Sequence, residues 1–460
     1  MRKLLLATAA TFGATLAMTG GAMAQPVKPV APGTVVVHVN GYLQFGFDDE
    51  NSTYNKYISG GSTSKLSPVT TNGEVRIYPG FDAKTVGGVE YGAQIELRTA
   101  FTNAGEGVNS NATAGNGNGT GNLYVRRAYG YVGEKTLGYV RFGQSDGAFG
   151  LLQDGVIEAF GDGSQFGSTD TSLQVVPSKA QPGQFIYADQ GALYTADKLV
   201  LLSPAITEPL LGGAFTAVAS YEPNSNGIKE GNNSNCTVAG GTCDNTTSTG
   251  TFSSTLAKQR QNTFDGAVQY ALKANGFNTK VSVGILDGSP IHYTGATNPA
   301  YNLDTLQVFQ AGAQTTYANL FTTGDAILVG GNIKVGQTLD GYAPKPKGTR
   351  DAVAYIVGAS YTVGPYVLGA SFFDSQTAGS KTPAAAKASE ARTLSEYGVS
   401  VGGNYVIGKD LSLYAQYMYG HSHQPGNGFA GAGTAGTPAP TPAKSNTQMQ
   451  LVSVGATFKW

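Results

Sequence analysis

The sequence predicts an all-β fold, a 16-stranded antiparallel transmembrane β-barrel, on three observations. Apolar and polar residues alternate with a period of two from one end of the chain to the other, and almost no segment follows the helical period. Charged residues make up 13% of the chain, against roughly 25% in an ordinary soluble domain. Short and long connections follow each other in turn between the alternating segments. Together these features favour a barrel with lipid outside and water inside.

The composition excludes several other classes of protein. Glycine accounts for 65 of 460 residues, about twice the usual share. The hydrophobic fraction is only 40%, the mean hydropathy is −0.14, and no segment has the apolar length of a membrane helix, which excludes a helical membrane protein. The formal charge of −1 gives no reason to expect a nucleic-acid partner.

The start of the chain has the features of an export signal. Arg2 and Lys3 precede a moderately apolar run, and Ala22-Met23-Ala24 has the small-x-small pattern of a cleavage site. We predict that residues 1–24 are removed, that residues 25–33 form a proline-rich leader, and that residues 34–460 form the barrel. A membrane anchor fits less well, because the apolar run is short and contains Thr and Gly.

The alternating segments number sixteen. In the first of them Val35, Val37 and Val39 share one parity, while Tyr42 and Gln44 share the other. Side chains of one parity lie on one face of a strand. The predicted strands are 34–47, 72–81, 88–101, 121–133, 137–145, 195–205, 211–222, 262–272, 277–287, 304–318, 324–337, 350–362, 365–375, 394–407, 410–421 and 447–460.

The connections alternate between short turns and long loops. Turns such as 134–136 and 273–276 contrast with loops such as 146–194 and 223–261. Outer-membrane barrels have short periplasmic turns and long external loops, whereas a soluble sandwich has no reason to keep its long loops on one side. An even number of strands also returns the chain to the side on which it began.

Three stretches of the chain carry a family resemblance. They are VRIYPGFDAKTVGGVEYGAQIELRTAF, YVRRAYGYVGEKTLGYVRFGQ and the terminal LVSVGATFKW. They are similar to the early strands, the arginine-led hairpin before the third loop, and the terminal assembly strand of the trimeric general-diffusion porins of Gram-negative outer membranes. The alphaproteobacterial branch is the most similar, and LVLLSPAI resembles the Ser-Pro strand that follows the third loop.

The resemblance implies a location, an assembly and partners. It implies a homotrimer in the outer membrane, in contact with outer-membrane lipid and lipopolysaccharide, and a third loop, about 146–194, that folds into the barrel. It also implies an assembly signal for the barrel-assembly machinery at Phe458 and Trp460. Family members usually end in Phe, and Trp460 departs from that pattern.

Strand parity predicts the side chains that face the lumen. Arg126 opposes the bulky Tyr129 and Tyr131, which predicts Arg126 inside and Arg127 outside. The predicted lumen residues are Glu74, Arg76, Glu96, Arg98, Arg126, Arg141 and Lys334. Four neighbouring strands thus each place one arginine on the water face.

The longest connection, 146–194, is acidic, whereas the four neighbouring strands each carry a lumenal arginine. Its predicted functional residues are Asp146, Asp154, Glu158 and Asp162, and no basic residue occurs between Arg141 and Lys179. The resemblance implies that these acids face the arginines across a water-filled constriction and favour cations. A simpler interpretation stays open, in which the acids are solvated surface groups and the arginines only pair with wall glutamates.

Cys236 and Cys243 lie in a long loop of a chain predicted to be exported, which favours a disulfide. No cofactor or metal motif and no Ser-His-Asp set occurs, so neither a cofactor nor an enzymatic activity is expected. The predicted function is therefore passive diffusion of small hydrophilic solutes and ions through a channel. Two alternatives stay open: a substrate-selective porin for sugars or an anion, and an exported β protein that binds surfaces without a pore.

Overall fold

The computed structural model describes residues 30–53, 55–59, 62–65, 67–102, 123–163, 166, 172–177, 180–182, 197–210, 212–224, 245–247, 260–290, 292–294, 303–338, 342, 344–345, 347–378, 393–424 and 446–460. The predicted export signal, residues 1–24, and the predicted disulfide between Cys236 and Cys243 lie outside the described residues.

Sixteen antiparallel strands form one sheet that closes on itself. They are β1 (Thr34–Ser52), β2 (Val69–Lys84), β3 (Glu90–Thr102), β4 (Tyr124–Glu134), β5 (Gly138–Gln144), β6 (Asp197–Leu202), β7 (Ala214–Asn224), β8 (Arg260–Ala274), β9 (Phe277–Pro290), β10 (Leu306–Ala318), β11 (Ala326–Gln337), β12 (Ala352–Val363), β13 (Tyr366–Thr377), β14 (Leu394–Val406), β15 (Leu411–His423) and β16 (Asn446–Lys459). Each strand pairs with the next, and β1 pairs with both β2 and β16. The predicted barrel and its sixteen segments are confirmed.

Smaller elements lie between these strands. The two-residue strand Ile206–Thr207 extends the pairing of β7. Lys56–Ser59 pairs with Ser62–Lys65, and Asn245–Thr247 pairs with His292–Thr294. The connection between β5 and β6 contains the short helix α1 (Ala148–Leu151) and a 3₁₀ turn at Ser172–Val175. Within the described residues, no helix is long and apolar enough to cross a membrane.

The strands are joined by tight turns at one end and long loops at the other. Asn275 and Gly276 form a two-residue turn with φ values of 50° and 83°, the left-handed conformation that a twisted hairpin requires. The outward rings of Phe277 and Tyr317 meet beside this turn, with centroids 4.5 Å apart. Tyr366 and Tyr405 form a similar pair, at 5.2 Å, beside another tight turn. Such rings match the aromatic girdle of a barrel at the membrane interface.

The first strand is longer than the sequence predicts, because its outward pattern changes before the strand ends. Phe47 is the last outward apolar residue, and Asp49 beyond it is exposed. On the inward face the alternation continues: Asp48 and Glu50 are buried, and Asp48 accepts a hydrogen bond of 2.7 Å from Asn72 Nδ2. The strand thus continues to Ser52, beyond the apolar part of its outer face.

Candidate functional site

The described part of one long connection lies inside the barrel. We call residues 145–196 the inward loop; the structure describes 145–163, 166, 172–177 and 180–182 of it. Its described backbone follows the inner faces of β8 to β15, where inward glycines leave room for it. A Cβ added to Gly312 would lie 2.1 Å from the Asp154 carbonyl oxygen, and one added to Gly369 would lie 2.2 Å from the Phe160 ring. A Cβ added to Gly330, Gly358, Gly398 or Gly420 would lie 3.0, 2.9, 2.7 or 2.9 Å from other residues of the loop.

Amide side chains of the same wall satisfy the backbone of the inward loop. A buried backbone group without a partner is costly, so a loop inside a barrel needs such partners. The Phe149 carbonyl accepts from Gln310 Nε2 at 2.9 Å, and the Asp154 carbonyl accepts from Asn332 Nδ2 at 2.8 Å. Further hydrogen bonds join Asp265 to the Phe149 N–H, Gln314 to the Gly155 N–H, Asn404 to the Gly161 carbonyl and Gln416 to the Asp162 N–H. We call these glycines and polar side chains, together with the wall residues that pack against the loop, the seat of the loop.

Apolar packing completes the seat. Phe149, Phe166 and Leu173 of the inward loop are buried in one cluster with inward residues of the wall. The wall members near the long-loop end of the barrel are Leu286, Leu306, Val308, Ile356, Phe373, Met418, Met449 and Leu451. These inward apolar residues depart from the polar lining that an aqueous barrel needs, and the loop that covers them accounts for the departure.

The opposite inner wall, on β2 to β5, carries five arginines. We call Arg76, Arg98, Arg126, Arg127 and Arg141 the arginine wall. A β-bulge between β3 and β4 sets Arg126 and Arg127 against the single residue Glu96. Because a bulge adds one residue and reverses the parity beyond it, both side chains reach the inner face. The prediction that Arg127 faces outward is therefore wrong.

The bulge also corrects the predicted orientation of two tyrosines. Tyr129 is buried beneath the Arg141 guanidinium, which lies 4.4 Å from the ring centroid. Tyr131 hydrogen-bonds Asp82, which shares the inward parity of Arg76. Both rings thus line the inner wall and not the lipid face.

Glu96 is the hub of the arginine wall. Its carboxylate contacts Arg98 and Arg127 directly and lies 3.4 Å from Arg126 Nη1. Glu74 pairs with Arg76, and one of its oxygens lies 4.0 Å from Arg98. Such buried ion pairs need several partners to offset the loss of hydration. The wall is therefore largely paired within itself, as the simpler sequence interpretation allows.

Exposure separates the arginines into two groups. The side chains of Arg98, Arg126 and Arg127 are 2%, 2% and 4% exposed, whereas that of Arg76 is 19% exposed. Arg141 is also half-buried. Water in the lumen therefore reaches mainly Arg76 and Arg141.

The four loop acids do not act as one group. Asp146 binds Arg127, with Nε to Oδ2 at 2.8 Å. Asp154 faces away from the arginine wall, because its carboxylate accepts from Gln269 Nε2 at 2.8 and 3.0 Å. The expectation that all four acids face the arginines therefore fails for Asp154.

The other two acids take intermediate positions. Glu158 is half-buried and lies within electrostatic range of Lys334. Asp162 lies within electrostatic range of Tyr42, whose ring is 4.9 Å from the Arg76 guanidinium. Glu158 is thus closer to the seat side, and Asp162, which is 7% exposed, is the loop acid with a link to the Arg76 side.

Lys334 contributes to the seat and not to the open lumen. It is fully buried, donates to the Tyr342 hydroxyl, and lies 5.2 Å from the ring centroids of both Phe149 and Tyr342. The predicted assembly residues lie on the outer face at the end of the chain. Phe458 packs against Phe45 with centroids 6.3 Å apart, and the Trp460 ring covers Gly41.

The predicted lumen residues leave out one charged cluster, which lies just beyond the end of the inward loop. Lys198, Glu222 and Arg260 form buried ion pairs on β6 to β8, with Arg260 Nη2 to Glu222 Oε1 at 3.1 Å. Alternation with the outward Leu199 and Tyr221 could have identified the first two as inward. No group of three or more His, Cys, Asp or Glu among the described residues could hold a metal ion.

Comparison with known proteins gives one family and several structures. A family model described as Gram-negative porin matches residues 7–424. A mutant of the Rhodopseudomonas blastica porin has 13% identity, covers 92% of this chain and 100% of its own, and has a TM-score of 0.44. The anion-selective porin from Comamonas acidovorans has 13% identity, with 93% and 100% covered and a TM-score of 0.45. OmpT of Vibrio cholerae has 12% identity, with 93% and 99% covered and a TM-score of 0.45. No curated protein matches the chain.

Proposed function

The chain belongs to the Gram-negative porin family and is an outer-membrane channel protein, and we propose that it lets small hydrophilic solutes and ions diffuse passively through a constricted aqueous lumen. The observation that carries this proposal is the position of the inward loop. Its backbone is held on the inner face of β8 to β15, so it narrows the lumen from one side. The remaining path runs between the loop and the arginine wall.

The proposed constriction has opposite charges on its two sides. Arg76 and Arg141 are the water-accessible groups of the arginine wall, and we assign the acidic side to Glu158, which is half-buried, and Asp162, which is 7% exposed. Guanidinium groups stay charged even when they lie close together. The resulting transverse field favours polar solutes, which align in it, over apolar solutes, which only displace ordered water. Asp154 is left out of the proposed constriction, because its carboxylate contacts Gln269 on β8 and not the arginine wall.

Liposome swelling tests this function. Vesicles that contain the refolded full chain are diluted into isotonic solutions of neutral sugars of increasing size. We expect swelling rates that fall steeply from pentose to disaccharide, because the constriction excludes solutes by size. Folded, inserted protein that gives no more swelling than empty vesicles would contradict the proposal.

We also propose the partners that the family resemblance implies. The chain assembles as a homotrimer surrounded by outer-membrane lipid and lipopolysaccharide, after export through residues 1–24 and insertion by the barrel-assembly machinery. The exposed aromatic Trp460 supports a terminal assembly signal at Phe458 and Trp460. Native mass spectrometry of the detergent-extracted protein tests the trimer, and a monomer as the only species would contradict it.

A further inference from the structure

Arg141 differs from the other arginines of the wall in its partners. Arg76, Arg98, Arg126 and Arg127 each have a carboxylate within ion-pair distance. Among the described residues, Arg141 has none. Its contacts there are the Tyr129 ring and Ser145 Oγ, 3.4 Å from Nη1. Its Nε is buried without a hydrogen-bond partner in the described part of the chain. Arg141 is thus a lumenal cation whose charge no carboxylate balances there.

Two aromatic rings lie beside this cation. Tyr131 is paired directly with Arg141 across β4 and β5, and Tyr139 precedes Arg141 by two residues on the same face. Both are half-buried, and their rings meet edge to face with centroids 6.3 Å apart. Tyr139 donates its hydroxyl to Glu90 at 2.6 Å, and Tyr131 donates its hydroxyl to Asp82. The rings, and not the hydroxyls, therefore remain available to a solute.

The acids that lie nearby already have partners. Glu90 accepts from Lys84 Nζ at 3.1 Å as well as from Tyr139. Asp82 lies 3.4 Å from His38 Nδ1 and accepts from Tyr131. Lys84 balances the charge of Glu90, and the carboxylates of Glu90 and Asp82 contact these partners and not Arg141, which stays attractive to an anion.

We propose that Arg141, Tyr131 and Tyr139 form a binding station for small aromatic monocarboxylates that pass through the lumen. The carboxylate accepts charge-assisted hydrogen bonds from the guanidinium, and the solute ring packs against the tyrosine rings. Tyr129 holds the guanidinium in place from below through a cation–π contact. The station rests on the proposed channel function and names a solute class for it.

Single-channel recording with benzoate as the probe tests the station. Benzoate is added on the side of the short turns, and its binding is read from the interruptions of the open-channel current. We expect benzoate to bind at least several-fold more tightly than acetate or cyclohexanecarboxylate. Arg141→Gln should weaken benzoate binding about tenfold, because it removes a charge-assisted contact. Tyr139→Leu should weaken benzoate binding severalfold and leave acetate unchanged.

A matched control removes a cation outside the station. Lys135 is exposed in the turn between β4 and β5, so Lys135→Gln changes the charge near the same mouth without touching the station. Its benzoate binding should stay within about twofold of the parent, the size of a screened surface effect. Arg141→Lys, which keeps the charge but loses the planar fork, should give an intermediate affinity.

The possible failures differ in what they overturn. Equal benzoate binding by the parent and by an Arg141→Gln variant that conducts normally would overturn the station and leave the channel function intact. Equal binding of benzoate and acetate would overturn the role of the tyrosine rings. Folded protein that never conducts would contradict the proposed function, and the station with it.

Discussion

Replacing Gly369 by alanine should disturb the seat of the inward loop. The new Cβ would lie 2.2 Å from Cδ1 and 2.5 Å from Cγ of Phe160, whereas carbon atoms pack best at about 3.5–4.0 Å. Phe160 is buried against Ile157, Leu328 and Val367, so the ring can retreat only toward the lumen. Overpacking of this kind costs about 1–3 kcal/mol, which lowers the ratio of seated to displaced loop about 5- to 150-fold.

Single-channel recording in planar bilayers measures this effect. We expect Gly369→Ala to lower the main conductance and to increase current noise, because the displaced loop enters the water path. The double variant Gly369→Ala/Phe160→Ala removes the ring that clashes, so in the Phe160→Ala background the glycine substitution should have almost no further effect.

The control for this prediction is another glycine of the barrel. Gly408 lies in the turn between β14 and β15 and has open space where a Cβ would be, so Gly408→Ala should leave the current unchanged. The reasoning is refuted if the folded Gly369→Ala channel conducts like the parent, or if the effects at Gly369 and Phe160 simply add.

Three further predictions concern the contact between β1 and the end of the chain, the arginine wall and the seat. Gly41→Ala would place a Cβ 1.8 Å from Cζ2 of Trp460, so it should lower the temperature at which the folded barrel unfolds in detergent gels. Adding Trp460→Phe to this variant should restore that temperature, because the smaller ring leaves room for the new Cβ. Glu96→Gln removes the negative charge that balances the buried arginines around it. It should lower the free energy of unfolding in urea by about 3–5 kcal/mol and shift the reversal potential toward anion selectivity. An unchanged free energy of unfolding and an unchanged reversal potential would contradict the central role of Glu96. Burial raises the pKa of Asp154, so the seated loop is stabilised in acid and loses that stabilisation as the pH rises through this pKa. We therefore expect the current noise of the parent channel to increase with pH, because the loop is held less firmly once Asp154 is ionised. Asp154→Asn should remove this pH dependence, and a variant whose noise changes with pH like that of the parent would rule this out.

Strand parity predicts most of the barrel because each strand has lipid on one side. Val35, Val37 and Val39 must face lipid, and that requirement fixes Tyr42 and Gln44 on the other face. Parity fails where a bulge adds a residue, as it does opposite Glu96. Tyrosine suits both the interface and the lumen, so nothing in the alternation of β4 indicates the reversal.

The location of the inward loop follows only in part from the sequence. Inward glycines such as Gly312 and Gly369, together with inward amides such as Gln310 and Asn332, mark a wall that can receive a backbone. The residue of the loop that meets each of them depends on contacts between distant parts of the chain, which local patterns do not encode. For that reason Asp154 was expected to face the arginines and instead faces Gln269.

The most direct test of the constricted channel is the single-channel conductance of the full chain in a planar bilayer with a salt gradient. We predict long-lived openings whose conductance is well below that of an unobstructed 16-stranded barrel and falls further when Gly369→Ala displaces the inward loop from its seat into the water path. A conductance that does not change when the seat is disrupted in folded protein would contradict the account, because the loop would then not limit the water path.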